Sequence, residues 1–123
     1  MRIRLALLAL AIALVARPVA ARGFHFELLR SVPAKGATVK TPPARLQLWF
    51  SQVPAAGVSQ VSLADEHGSV ALGKTVIVNG EKTMYADPAK PLGLGKYTMH
   101  WRGAGDDGHV QTGDLTFTIA KTP

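Results

Sequence analysis

The sequence predicts an all-β domain, an immunoglobulin-like Greek-key β-sandwich or barrel of about seven strands. Apolar and polar residues alternate with period two at 46–50, 97–101 and 115–119, which is typical of strands with one buried face. Turn signals rich in proline and glycine separate the runs at spacings of roughly ten residues. No stretch of the domain repeats apolar residues at the spacing of an amphipathic helix, so we expect strands alone.

The individual strands follow from these runs in chain order. The first is expected to begin at His25, and Trp49 lies on the outer face of the strand at 46–50. Asn79-Gly80 predicts a two-residue hairpin, because both residues accept a positive φ. The remaining strands are expected at 61–63, at 75–78, around Met84, at 97–101 and at 115–119.

The first 21 residues have the composition of a secretory signal peptide. A short basic start precedes an apolar run from Leu5 to Ala16, and small residues follow at 19–21. The run is shorter than the ~20 apolar residues that span a bilayer. We therefore predict a signal peptide at 1–21, with cleavage after Gly23 as the second choice, and a mature β domain at 22–123. Export places the mature protein in the periplasm or outside the cell, not across a membrane.

Charge and cysteine content exclude several classes of protein. The formal net charge is +6 for the whole chain and +3 once the three arginines of residues 1–21 are removed. The remaining basic residues are scattered, which indicates no nucleic-acid footprint. The chain has no cysteine, so disulfides and thiolate metal sites, including blue copper, are excluded.

Catalytic motifs are not evident. The chain has no Gly-x-Ser-x-Gly turn and no glycine-rich phosphate loop, and its carboxylates form no recognisable acid/base pair. We therefore name no catalytic residues and expect no enzymatic activity.

The four histidines of the chain are the candidate ligands for a metal. His25 lies a few residues after the predicted cleavage site. His67 lies in a turn and His100 should point outward from its strand, so both are expected to be surface residues. Asp107 and His109 stand two positions apart, and in extended backbone their side chains would face the same way. Imidazole and carboxylate suit Cu(II). The alternative is an ordinary Asp-Gly turn in which the aspartate caps its own backbone.

Four segments in order resemble the family of CopC-type periplasmic copper-binding proteins. The opening at 25–36 resembles a His-x-x-Leu start followed by Ser-x-Pro-x-x-Gly, and 46–51 resembles a strand ending in Phe-Ser. The run at 92–102 resembles Pro-Leu-x-x-Gly-x-Tyr-x-Val-x-Trp-Arg, and 107–117 resembles Asp-x-His with the following Gly-x-Leu-x-Phe. The resemblance covers nearly all of the mature chain.

The resemblance implies a Greek-key β domain that binds Cu(II) in the periplasm and takes part in copper homeostasis and resistance. Carried over residue by residue, the Cu(II) ligands would be His25, Asp107 and His109, with the first and last brought to the same end of the fold. It also suggests an inner-membrane copper transporter of the CopD type as a partner.

The sequence departs from the family pattern in two places. Cleavage after Ala21 leaves three residues ahead of His25, so no free α-amine stands beside its imidazole, and we expect weaker Cu(II) binding than in members that begin with histidine. The methionine-rich Cu(I) segment is also missing, and Met84 and Met99 are expected to be packing residues.

Two other functions remain open at the sequence level. A metal-free immunoglobulin-like module could bind a membrane-protein partner through an exposed sheet face, with Trp49 as the residue that favours it. A copper enzyme that cleaves polysaccharides oxidatively is disfavoured, because His25 does not begin the mature chain and no substrate platform is recognisable.

Overall fold

The computed structural model describes residues 25–121. The predicted signal peptide and both of its candidate cleavage points lie outside the described residues. Within 25–121, two antiparallel-rich sheets contain nine strands and no helix, which confirms the all-β sandwich. The strands are β1 Leu28–Val32, β2 Thr38–Val39, β3 Leu46–Phe50, β4 Gln60–Asp65, β5 Gly68–Val70, β6 Val76–Ile77, β7 Thr83–Ala86, β8 Gly95–Gly103 and β9 Gln111–Ile119.

The strands are divided between a four-stranded sheet and a five-stranded sheet. The first has the order β1-β3-β7-β6, and the second has the order β2-β9-β8-β4-β5. The long pair β8 and β9 is antiparallel over nine residues without a register shift, from Gly95 opposite Ile119 to Gly103 opposite Gln111. This pair carries the connecting turn at residues 104–110, which therefore emerges at one end of the five-stranded sheet.

The core lies between the two sheets and is built from the alternating residues that the sequence singles out. On β3 the residues Leu46, Leu48 and Phe50 are almost fully buried, whereas Trp49 between them is half-buried on the other face. On β8 and β9 the same alternation buries one face of each strand. Period two thus assigns each residue of these strands to the core or to the outer surface.

The strands differ from the sequence prediction in three respects. The first strand, β1, begins at Leu28 and not at His25. The short strands β2 and β5 were not expected, because two or three residues are too few to show an alternation. The turn at Asn79-Gly80 is present, with Glu81 N–H donating to Val78 C=O at 3.0 Å. However, of these two residues only Gly80 has a positive φ, and the last pair before the turn is Ile77 opposite Met84. The predicted two-residue hairpin is therefore wrong: the five residues 78–82 lie between β6 and β7.

No helix in residues 25–121 is long and apolar enough to cross a membrane.

Candidate metal centre

Asp107 and His109 lie in the turn between β8 and β9. The His109 N–H donates a hydrogen bond to Asp107 Oδ1 at 3.0 Å, and Gly108 between them has a φ of 72°. The expectation of extended backbone is therefore wrong, since the aspartate caps its own turn, as in the alternative reading. The two side chains nevertheless point the same way, as the distance of 3.6 Å between His109 Nδ1 and Asp107 Oδ2 shows. The imidazole is 83% exposed and is open to an incoming ion.

His25 is exposed and is held through its backbone. Its carbonyl oxygen accepts a hydrogen bond from Ser51 Oγ at 2.8 Å, and the same oxygen of Ser51 accepts from Glu27 N–H at 2.9 Å. The next residue, Phe26, is buried and stacks on Phe50 with ring centroids 4.4 Å apart. Aromatic packing on one side and two hydrogen bonds on the other thus fix the chain immediately beside the His25 imidazole.

Gln52 contacts the turn that carries Asp107 and His109. Its side-chain carbonyl accepts a hydrogen bond from Asp106 N–H at 2.9 Å. The carboxamide also lies so close to Gly105 that a Cβ there would overlap it. Only glycine leaves room for this approach, so the end of β3 positions the turn that carries Asp107 and His109.

Ser51 and Gln52 are adjacent residues, and together they connect the segment of His25 with the turn of Asp107 and His109. The three predicted ligands therefore border the same end of β3. Direct contact is seen only within the Asp107–His109 pair. In the described part of the chain, no three side chains of His, Cys, Asp or Glu stand close enough together to hold an ion.

A second Asp-x-His turn shows how little the motif means by itself. His67 N–H donates to Asp65 Oδ1 at 2.7 Å, the same hydrogen bond that the turn at 107–109 makes. Its imidazole is exposed, as expected for a solvated turn residue. The two turns differ in their side chains. His109 Nδ1 lies near the Asp107 carboxylate, whereas within residues 25–121 the His67 imidazole makes no such contact with Asp65.

A further imidazole–carboxylate pair was missed by sequence reasoning. His100 points outward, as expected, and its Nδ1 contacts Asp114 Oδ1 across β8 and β9. Both side chains are more than half exposed. The pair follows from the antiparallel register of β8 and β9. The two alternating runs at 97–101 and 115–119 could have predicted it. Aligning them across the turn at 104–110 places the two residues opposite each other.

The two methionines of the described chain are core residues. Met84 and Met99 are both fully buried, on β7 and β8. Their thioether groups pack between the sheets, as expected, and do not face a surface site.

Arginines cover the aromatic residues on the outer face of the four-stranded sheet. The Arg30 guanidinium lies 3.9 Å from the Trp49 ring centroid, and that of Arg45 lies 3.7 Å from the Tyr85 centroid. Arg45 also donates two hydrogen bonds to Asp87, at 2.8 and 3.1 Å. These bonds lower the pKa of the Asp87 carboxyl and raise the pKa of Arg45. Trp49 is thus covered from within the protein, which weakens it as a sign of partner binding.

The protein is thus a small, compact β-sandwich domain with an exposed imidazole–carboxylate pair at one end. Comparison with known proteins gives the family. The model of the CopC domain matches residues 28–120, and the chain belongs to the CopC family.

Bacterial relatives support this assignment. Copper resistance protein C of Pseudomonas syringae pv. tomato is 35% identical over 102 residues, covering 77% of this chain and 80% of the relative. Copper resistance protein C of Escherichia coli is 31% identical over 103 residues, covering 77% and 81%.

Solved structures agree in fold. PcoC of Escherichia coli, described as a methionine-rich copper resistance protein, has a TM-score of 0.70 at 32% identity and covers 78% of this chain and 99% of its own. CopC from Methylosinus trichosporium OB3b has a TM-score of 0.71 at 23% identity, covering 77% and 93%, and is similar in fold.

Proposed function

We propose that this protein binds Cu(II) through His25, Asp107 and His109 and buffers or carries it in the periplasm, without catalysing a reaction. The observation that carries the proposal is the connection made by Ser51 and Gln52. In a member of the CopC family, these adjacent residues hold the segment of His25 and the turn of Asp107 and His109 beside the same strand end.

The ligand chemistry suits a carrier of Cu(II). Two imidazoles and a carboxylate are ligands that Cu(II) accepts in tetragonal geometry. With the predicted cleavage after Ala21, no terminal amine would adjoin the His25 imidazole, and water, another side chain or a backbone amide would complete the plane. His109 is exposed, and an exposed ion can be handed on without opening the core. A transporter of the CopD type is the proposed recipient.

Cu(I) is not part of this proposal. A soft ion prefers thioether sulfur, and both methionines of the described chain are fully buried in the core. Binding of Cu(I) at either would require the sandwich to open.

The first test is the EPR spectrum of mature protein, purified after export, with one equivalent of Cu(II). We expect one tetragonal signal with couplings from imidazole nitrogen. The number of coupled nitrogens gives the contribution of the N-terminal segment. A spectrum of free or loosely bound copper would overturn the proposal.

Two histidine variants separate a specific site from adventitious binding. His109→Ala should abolish most Cu(II) binding. His67→Ala is the matched control, because it removes an exposed imidazole from an Asp-x-His turn with the same backbone hydrogen bond. Equal losses in the two variants would mean that copper binds to surface imidazoles without preference.

The metal-free interaction module makes the opposite prediction about stability. A ligand that binds only the native state must raise the free energy of unfolding, by about 2.7 kcal/mol at a ligand concentration 100 times Kd. Thermal unfolding with and without Cu(II) measures this difference. An unchanged Tm would favour the metal-free module.

A further inference from the structure

A cavity of about 770 Å³ lies along an unpaired part of β4. β5 pairs with β4 only at Leu63, Ala64 and Asp65, so residues 60–62 have no neighbouring strand on that side within 25–121. The segment at 72–77 lies across the gap, and Thr75 Oγ1 accepts a hydrogen bond from Val61 N–H at 3.0 Å. We call this space the β4-edge cavity; it is lined by residues 56–62, Val70, residues 72–75, Ile77 and Arg102.

The charges around the β4-edge cavity are all of one sign. Lys74 and Arg102 are its charged lining residues, and no Asp or Glu lines it. Neither cation forms an ion pair with a carboxylate in residues 25–121. Two cations at one opening without a counter-charge attract an anion, and a guanidinium binds a carboxylate with particularly favourable geometry.

The interior of the cavity is partly apolar. Val61 is buried, and Val70, Leu72 and Ile77 are partly buried and pack against the core. The three partly buried residues leave apolar surface accessible in the cavity. Ligand cavities typically have volumes of about 300–1,000 Å³ with a few well-placed polar groups, and this one falls within that range.

A buried hydroxyl also lacks a partner here. Ser59 lines the cavity, is only 8% exposed, and its Oγ makes no hydrogen bond within the described chain. Buried polar groups are normally hydrogen-bonded, because leaving one unpaired is unfavourable. The oxygen lies near the inward side of Gly103, so a ligand in the cavity would accept a bond from it only after rotation about the Ser59 χ1 angle.

We propose that the β4-edge cavity binds a small organic anion. Its carboxylate lies between Lys74 and Arg102, and its apolar body lies over Leu72 and Ile77. The site shares no residue with the proposed copper ligands, and the inference does not depend on copper binding.

The test is an NMR titration of the ¹⁵N-labelled mature protein with benzoate, which combines one carboxylate with an apolar ring. Benzamide is the neutral control of the same shape. We expect saturable shifts with benzoate, confined to residues 56–62, 72–75 and Arg102. Raising the salt concentration should weaken binding, because exposed charges are screened. Equal shifts with benzamide, or none that saturate, would overturn the proposal.

Charge-removing variants test the assigned residues. In the double variant Lys74→Gln/Arg102→Gln the apparent Kd for benzoate should rise at least about tenfold, since one lost charge-assisted hydrogen bond is enough for that change. Lys90→Gln/Lys96→Gln is the matched control, with the same loss of charge at exposed lysines that do not line the cavity. Equal affinities in the two double variants would show general attraction to a basic protein and contradict the site.

Discussion

The Gln52 carboxamide and the backbone of Asp106, 54 positions apart in the chain, are joined by a hydrogen bond of 2.9 Å. This bond ties the end of β3 to the turn that carries Asp107 and His109. The first prediction follows from it. Gln52→Ala should loosen the turn at a free-energy cost of about 1 kcal/mol, and Cu(II) affinity should fall about fivefold.

Gln47→Ala is the matched control for that variant. Gln47 lies on β3, five positions before Gln52, and also makes one side-chain hydrogen bond, from its Nε2 to Thr83 Oγ1 at 3.0 Å. The two variants should unfold at similar urea concentrations, and only Gln52→Ala should weaken Cu(II) binding in a competition titration. If both bind copper as the parent does, Gln52 does not position the centre.

The methionines should be replaceable without loss of copper binding. Met84→Leu and Met99→Leu keep the volume of fully buried side chains, so each should cost less than about 1.5 kcal/mol. Titrations with Cu(II), and with Cu(I) under reducing conditions, should match the parent. Loss of Cu(I) binding in either variant would show that a thioether is a ligand after all.

Gly113 should tolerate no side chain. A Cβ at this position would overlap the indole of Trp101, whose ring packs edge-on against Phe50 at 5.2 Å and has little room to move. Gly113→Ala should therefore lower the free energy of unfolding by about 1–3 kcal/mol. Gly93→Ala is the control, because a Cβ there meets nothing within 4 Å. Comparable urea midpoints for the two variants would contradict this account.

The Arg45–Asp87 pair should give a small stability term that depends on pH. The pKa of Asp87 lies below its ordinary value of 3.8, chiefly because Arg45 donates hydrogen bonds to it. A lowered pKa means that the stabilisation is fully present above pH 3.8 and is lost as the pH falls through the lower, folded value.

Asp87→Asn should accordingly be slightly less stable than the parent at pH 7, and the difference should vanish at strongly acidic pH. The effect is small, because both side chains are about half exposed and solvent screens them. Urea unfolding of copper-free protein across this pH range measures it. A difference that persists unchanged in acid would have to come from packing of the new amide.

The elements that sequence predicts well are those with long alternations. β8 and β9 have nine residues each, so their buried faces are evident from period two alone. β2 has two residues, and its parallel pairing with β9 places Thr38 opposite Thr118. That pairing depends on tertiary contacts 80 positions apart, which no local pattern contains.

The candidate centre was only partly predictable for a related reason. The three proposed ligands were named from residue type and family resemblance, and they stay a prediction. The geometry of Asp107 and His109 was misjudged, because the aspartate side chain captures the His109 N–H and closes a turn. The supporting roles of Ser51 and Gln52 arise from contacts 26 and 54 positions apart in sequence.

These two sequence separations also bear on when the candidate centre forms during folding. Contacts between distant positions form late, because the loops between them must close first. A newly exported chain already contains both histidines, but nothing holds them near each other until β3 has formed. If the proposed function is right, the protein binds copper only once it has folded. A damaged molecule that unfolds would release its copper ion.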